Sequence, residues 1–418
     1  MSFEKHFTTE SLQKRFHHKI KKGHALGSDG ISPELFAEIL DSEIELIQRK
    51  VKNMSYRFSR FNEKLILKNK HSLPRAVYIP TVRDRLVLNA MNAYLGEQFA
   101  DELSSQQYVK VNITEIIKAI ESGQFDAFIK LDVKNFFPNL DHEILIEKLQ
   151  RRISDKTALS LLKKVLHRSG NGIAQGISIS GRLAEIYLND VDNKFKGRTE
   201  LKYFRFVDDI LILCNHSDVD TINAEIQQDM QDLKLTLHTA NSNKSTFGYL
   251  GKDTLEYLGF SFSDNAISVR KSSVEKLRKR IRKVFAEYSN APLQSEGDIN
   301  TELYNMLNLK ITGCLYNNKP YGWLFFFQDI NDLTLLHHLD WFVKKCFDDF
   351  KQEYNPNEIK SFAKAYFAIK SLNPSKLNAE SYIPRFDKEL LTTQIPTEFV
   401  RSDIEESIFD LEYDIEIY

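Results

Sequence analysis

Apolar positions along this chain follow two different periods. DAFIKLDV (126–133) and FRFVDDILILC (204–214) are short, β-branched and aromatic runs, as strands buried on both faces require. The second run splits at its two acids, as a hairpin would. EKLILK (63–68) and RAVYIP (75–80) predict shorter strands joined by the basic turn Asn69-Lys70-His71-Ser72. LKLTLH (233–238) alternates like a strand, and LEYLGFSF (255–262) predicts a further hairpin. Helical spacing occupies the intervals: about Asp84–Phe99, His142–Arg168, a helix ending near Asp192, and 218–233. Gly172, Gly176 and Gly181 bracket the loop that opens the third of these. The first 60 residues read as helices broken at GHALGSDG (23–30), and Ser32-Pro33-Glu34 starts the next helix. Beyond about residue 270 the pattern is helical.

The helix starting there has a distinctive face. In RKSSVEKLRKRIRK (270–283), Val274, Leu277, Ile281, Val284 and Phe285 recur at helical spacing. Lys276, Lys279, Arg280 and Lys283 fall largely on the other side. One face then packs while the other presents cations, which suits a duplex backbone read as charge rather than sequence.

Composition narrows the class. The chain has 418 residues, 42% hydrophobic and 28% charged, an ordinary globular balance. The longest nearly unbroken apolar stretch, Tyr321–Phe327, is far shorter than the about 20 residues of a membrane-spanning helix, so no membrane contact is expected. The charged start, MSFEKHFTTESLQKRFHHKIKK, has no apolar segment like that of a signal peptide, and a cytoplasmic setting is expected. Cys214, Cys314 and Cys346 form no C-x-x-C pair, which disfavours a disulfide framework or a zinc knuckle. The net charge of −1 hides an asymmetry: residues 1–85 carry 17 Lys/Arg against 10 Asp/Glu, and residues 377–418 carry three against eleven. Clustered basic surface is the footprint of phosphate binding, which whole-chain charge does not report.

Candidate chemistry lies on the buried strands. Asp132 ends one apolar run, and Asp208 and Asp209 interrupt the other. An ionised carboxylate near a core is costly unless a cation compensates it, and hard oxygen donors suit Mg²⁺. Asp is also common at hairpin tips, so Asp208-Asp209 alone leaves a plain turn open.

The neighbouring segments carry a resemblance. FIKLDVKNFFPNLDH (128–142), GIAQGISISGRLAEIYL (172–188), FRFVDDILIL (204–213), LKLTLHTANSNKSTF (233–247) and LEYLGFSF resemble, in order, motifs of reverse transcriptases. The lineage is the bacterial one that includes group II introns and retrons. Upstream, RAVYIPTVRDRLVLNAM (75–91) and LGSDGIS (26–32) are similar to its fingers and N-terminal elements. The resemblance implies an α+β right-hand polymerase. Residues 1–125 would form the N-terminal element and fingers, and 126–268 a palm of antiparallel sheet plus helices that includes the motif helix 172–192. Residues 269–345 would form a helical thumb, and 346–418 a helical extension with an acidic tail. It implies Asp132, Asp208 and Asp209, with the Val133 carbonyl, as ligands of two Mg²⁺ ions, Mn²⁺ being the substitute, and Lys244 as proton donor to pyrophosphate. Arg75, with Lys68 or Lys70, would hold the triphosphate. Phe137 would lie under the sugar and select against ribose, beside Gln175 and Gly176. Tyr257, Leu258 and Gly259 would form the primer grip, and Lys276, Lys279, Arg280 and Lys283 the duplex-tracking face. Departures from the family pattern are Ala174 and Gly181 for proline, Glu185 for asparagine and Phe206 for tyrosine.

The implied activity is RNA-directed DNA synthesis on an associated non-coding RNA, with deoxynucleotides as substrates and an RNA/DNA duplex as product. The sequence most resembles the antiphage defence-associated members. A group II intron-like or retron enzyme, or a non-catalytic RNA-binding protein with a polymerase fold, are the alternatives. A protein partner, a second copy of the chain, and priming by Tyr413 or Tyr418 are left open. YGWLFFFQDI with Leu335, Leu336, Trp341 and Phe342 is expected in the core of the extension. His337-His338 is not expected to bind metal.

Overall fold

The computed structural model describes residues 2–21, 23, 25–67, 74–101, 109–239, 245–264, 266–289, 296–316, 319–372 and 382–386. The chain divides into two compact units: Met1–Tyr108 with Gly123–Phe247, and Val109–Ser122 with Gly248–Tyr418. This division is coarser than the four segments expected from the sequence.

The first unit opens with helices α1 (Thr9–Arg15), α2 (Pro33–Glu38) and α3 (Leu40–Lys52). Ser32 caps α2 by accepting from the Leu35 N–H, with Pro33 in the first turn, as the sequence signals. Gly27 lies so close to the chain at Thr81 that a Cβ there would stand 2.4 Å from its Cα. Strands β1 (Asn62–Ile66) and β2 (Arg75–Ile79) pair antiparallel, with Ile66 opposite Arg75. Helix α4 (Val82–Gln98) follows with no fully exposed residue, burying Leu86, Val87, Leu88, Ala90 and Leu95. Its buried Asp84 accepts from the Tyr56 hydroxyl at 2.7 Å and the Ser59 N–H at 2.9 Å. Those bonds compensate the carboxylate and fix residues 56–59 against α4.

After α5 (Val109–Glu121), which belongs to the second unit, the first resumes with β3 (Ala127–Asp132) and helices α6 (Phe136–Asn139), α7 (His142–Gln150), α8 (Lys156–Ser169) and α9 (Ser180–Lys196). Strands β4 (Lys202–Phe206) and β5 (Asp209–Cys214) and helix α10 (Val219–Asp232) complete it, and strand β6 (Thr246–Tyr249) begins in it and ends in the second unit. The sheet order is β4-β5-β3-β6, and β4–β5 and β5–β3 are antiparallel. The predicted hairpin at 204–214 is therefore present.

Two local readings need correction. The predicted helical zone 142–168 breaks after Gln150, and Asp155 caps α8 by accepting from the Ala158 N–H at 2.9 Å. Residues 233–238 are not a strand; a single bridge joins Val133 and Leu237. Lys234, at φ 55°, turns the chain and defeats the alternation. Helix α5 and strand β6 have no counterpart in the sequence reading.

The second unit contains the antiparallel sheet β7 (Leu255–Tyr257), β8 (Phe260–Ser263) and β9 (Ala266–Val269). Helices α11 (Lys271–Ser289) and α12 (Glu296–Thr312) follow, then β10 (Cys314–Tyr316), β11 (Lys319–Tyr321), α13 (Trp323–Phe326), α14 (Leu333–Asp349), α15 (Phe362–Lys370) and β12 (Arg385–Phe386). The small sheet β11-β10-β12 interrupts the helical pattern expected beyond 270. Trp323, Leu324, Leu336 and Phe342 are buried as expected, but Trp341 is 61% exposed. Helical geometry sends adjacent residues 341 and 342 to different sides of α14.

No helix among the described residues is long and apolar enough to cross a membrane. All three cysteines are free and buried. Burial pushes the Cys214 and Cys314 thiols up to about 12, so almost no thiolate exists near neutrality. Native protein is expected to take up no maleimide by mass spectrometry, while denatured protein takes up three. Rapid labelling of the native chain would contradict this burial.

Candidate active site

The sheet register builds the site. Asp132 ends β3, Asp209 begins β5, and the two are direct cross-strand partners. Opposed residues of an antiparallel pair project to the same face with Cβ atoms roughly 5 Å apart, and like charges so placed are destabilising. Both aspartates are half-buried. Asp208 occupies the adjoining turn, where its carbonyl accepts from the Val133 N–H at 3.3 Å.

Asp132 is held by groups the sequence did not single out. Its N–H donates to Ser245 Oγ at 3.2 Å, and its carbonyl accepts from the His238 N–H at 2.9 Å. The His238 Nε2 lies 3.2 Å from the Asp132 carboxylate. The sequence places His238 at the end of an expected strand that is not formed; a single bridge, Val133 to Leu237, rather than a ladder, delivers it.

The turn between β4 and β5 is unusual. Phe206 pairs with Asp209, leaving Val207 and Asp208 between them. Val207 has φ 56°, a left-handed conformation that a β-branched residue rarely adopts. Arg205 donates to the Val207 carbonyl at 3.0 Å and, through Nε at 2.7 Å and its second terminal nitrogen, to both oxygens of Asp192 on α9. Tyr203 adds a hydroxyl bond to Asp192 at 2.9 Å. Arg205 and Asp192 are both buried. Burial alone would lower the Arg205 pKa, but the Asp192 charge and hydrogen bonds raise it above its ordinary value. Lys196, 3.9 Å from Asp192, is lowered by burial. A buried ionic cluster thus braces the turn that carries Asp208.

The 172–176 segment gathers further predicted residues. The Ile173 N–H donates to the Phe137 carbonyl at 2.8 Å, and the Tyr78 N–H on β2 donates to the Gln175 carbonyl at 2.7 Å. The segment therefore links Phe137, Gln175 and the strand that carries Arg75. Gly176 has φ 93°, and a Cβ there would meet Val77 at 2.5 Å. Close packing on β2 accounts for this glycine, in addition to the substrate approach expected from sequence. Arg75 and Phe137 are both half-buried.

Lys68, Lys70 and Lys244 fall outside the described residues. In the second unit, Tyr257-Leu258-Gly259-Phe260 forms a two-residue hairpin with positive φ at Leu258 and Gly259 (48° and 86°). Leu258 and Gly259 are half-buried, but Tyr257 is only 1% exposed. Alternation along β7 turns the Tyr257 ring into the core, so the half-buried Leu258 and Gly259 form the accessible part of the expected primer grip. Along α11, Val274, Leu277, Ile281, Val284 and Phe285 are buried as predicted. Lys276, Lys279 and Lys283 are exposed and Arg280 is half-buried. Lys283 also pairs with Glu287 at 3.3 Å.

Among the described residues, no group of three or more His, Cys, Asp or Glu side chains is gathered to hold a metal. The expected three-aspartate set is a facing pair with Asp208 beside it. That pair fits Mg²⁺, which is commonly bound by one or two carboxylates together with substrate phosphates rather than by an all-protein cage.

Residues 66–262 match the family Reverse transcriptase (RNA-dependent DNA polymerase). The chain is 28% identical over 193 residues to the group II intron-encoded protein LtrA of Lactococcus lactis subsp. cremoris, covering 43% of this chain and 31% of that protein. It is 24% identical over 198 residues to protein YkfC of Escherichia coli, covering 43% and 52% respectively. The chain thus spans about a third to a half of the length of these relatives. Among solved structures, telomerase from Candida albicans in complex with a fragment of telomeric RNA is similar with a TM-score of 0.43 at 11% identity, covering 82% of this chain and 69% of that one. Residues 66–262 thus match the reverse transcriptase family and are similar to part of group II intron-encoded proteins.

Proposed function

We propose that the chain is an RNA-directed DNA polymerase that copies an associated non-coding RNA, in the setting of bacterial defence against phage. The observation that carries the polymerase reading is the registration of Asp132 opposite Asp209 at the ends of paired strands inside the reverse transcriptase domain. Asp132, Asp209, Asp208 and the Val133 carbonyl would hold two Mg²⁺ ions, which when bound activate the primer 3′-hydroxyl and neutralise the leaving pyrophosphate. In the transfer, the O3′–Pα bond forms as the bond from Pα to pyrophosphate breaks. The hydroxyl proton leaves to solvent, and Lys244 returns one to pyrophosphate. Arg75 supplies bidentate donors to the triphosphate. Phe137 fills the space a ribose 2′-hydroxyl would need. The defence setting is supported by the sequence resemblance alone; the group II intron relatives favour an intron-like enzyme as the second reading.

The deciding experiment sequences RNA and DNA co-purified with wild type and with the Asp208→Ala, Asp209→Ala double variant. One dominant small RNA in both, with complementary DNA only in wild type, is expected. RNA in both and DNA in neither, together with no primer extension by purified wild type, would overturn the polymerase reading. Loss of phage restriction in the same variant tests the defence setting.

Phe137→Ala is expected to raise ribonucleotide incorporation relative to deoxynucleotides by about 10²-fold, the discrimination a single shape contact supplies. Unchanged selectivity in steady-state incorporation assays would remove Phe137 from that role.

A further inference from the structure

A basic groove of about 800 Å³ lies between α8 and the segment that follows α3. Its lining includes Arg57, Lys156, Lys163, Lys164, His167 and Arg168, and no acid. None of these residues belongs to a polymerase motif. Lys156, Ser160, Lys163, Lys164 and His167 follow helical spacing, so they form one stripe along α8, while Ala158, Leu161, Leu162, Val165 and Leu166 are buried on the other side. From residue 156 to 167 the stripe runs about 17 Å.

The groove has fixed walls. Lys164 donates to the Met54 carbonyl, and Arg168 donates to the Ser59 carbonyl at 2.8 Å. The facing segment is itself fixed by buried Asp84, which bonds Tyr56 and Ser59 on either side of Arg57 and Phe58. Arg57, Lys156, Lys163 and His167 are exposed. None of the groove's cationic side chains forms an ion pair among the described residues.

Helix stability does not account for this pattern. His167 and Arg168 suit the negative end of a helix dipole, but Lys156 begins α8, where a cation is unfavourable. Lys163 and Lys164 have no acid at i±4 to offset their mutual repulsion. An external polyanion would satisfy all of them. The run of charge exceeds what a single phosphate needs. The apolar lining, Phe58 and Leu159, is buried or half-buried, so it offers no exposed ring on which a base could stack. That favours backbone and shape recognition of a duplex over a single strand.

We propose that this groove is a second nucleic-acid site, which holds the phosphate backbone of a folded, base-paired RNA segment. The choice of RNA rests on the polymerase reading; the polyanion chemistry does not. The test uses the full chain, an RNA hairpin of about 16 base pairs and arbitrary sequence, and a short primer–template. The variant Arg57→Gln, Lys156→Gln, Lys163→Gln, His167→Gln spares Lys164 and Arg168, whose bonds support the groove walls. At about 0.15 M salt its hairpin affinity is expected to fall roughly 100-fold, with the log–log salt slope reduced by about 3. Its melting temperature and short primer–template extension are expected to match wild type. Unchanged affinity and slope would overturn the proposal, as would a parallel loss of primer extension, which would make the groove part of the polymerase track. Groove-dependent binding of vesicles rich in phosphatidylserine, without binding of RNA, would also overturn it. Groove-dependent RNA binding by a chain that extends no primer would support the groove while sinking the polymerase reading.

Discussion

Asp209→Asn is expected to lower primer extension by at least about 10³-fold, equivalent to ~4 kcal/mol of transition-state stabilisation. Asparagine preserves the shape but removes one of the facing carboxylates that would share the cation. The same substitution is expected to leave the fold intact, because it relieves repulsion between directly opposed charges. In the absence of divalent metal, the variant should melt at or above the wild-type temperature, with about 0.2–1 kcal/mol gained. Asp132→Asn should lower extension likewise, since the register places the two aspartates as partners. Wild-type extension by either variant would exclude the pair from catalysis. A large drop in melting temperature would instead show that the carboxylates serve the fold.

Arg205→Met is expected to be the most destabilising single change near the site. It leaves Asp192 buried without its bidentate partner, a loss of about 3–5 kcal/mol when one member of a buried ion pair is removed. For a unit of this size that corresponds to roughly 10 °C in melting temperature. Adding Asp192→Leu removes the stranded charge and should restore most of the stability. It should not restore extension, because the Val207 carbonyl still lacks the Arg205 donor that braces the left-handed turn. Stability and activity would then separate in one double-mutant cycle. A single variant within about 1 °C of wild type would show that the pair contributes little, and full recovery of extension in the double variant would remove the positioning role of Arg205.

Much of this organisation is legible along the chain because short-range signals agree with the tertiary outcome. The β3 and β5 runs are continuous apolar strands because both faces of the sheet are covered. The packed face of α11 and the Ser32-Pro33 helix start follow from periodicity and capping chemistry. The aspartates stand out because carboxylates rarely interrupt such runs.

Legibility ends where long-range packing overrides local pattern. Residues 233–238 alternate like a strand, yet Lys234 turns the chain and one bridge remains. Tyr257 lies in a motif singled out by resemblance, and only the tertiary packing shows its ring in the core. The basic groove joins side chains about 100 residues apart in sequence, beyond the reach of any local charge count. By itself, the sequence determined the strands, the helix faces and the acids available for metal chemistry, since these depend on residue type and near-neighbour spacing. Only the tertiary structure decided which acids face each other, that Arg205 and Asp192 brace their turn, and that cations from distant segments form one surface. Cross-strand register and helix packing set those distances, and neither is encoded in any single segment.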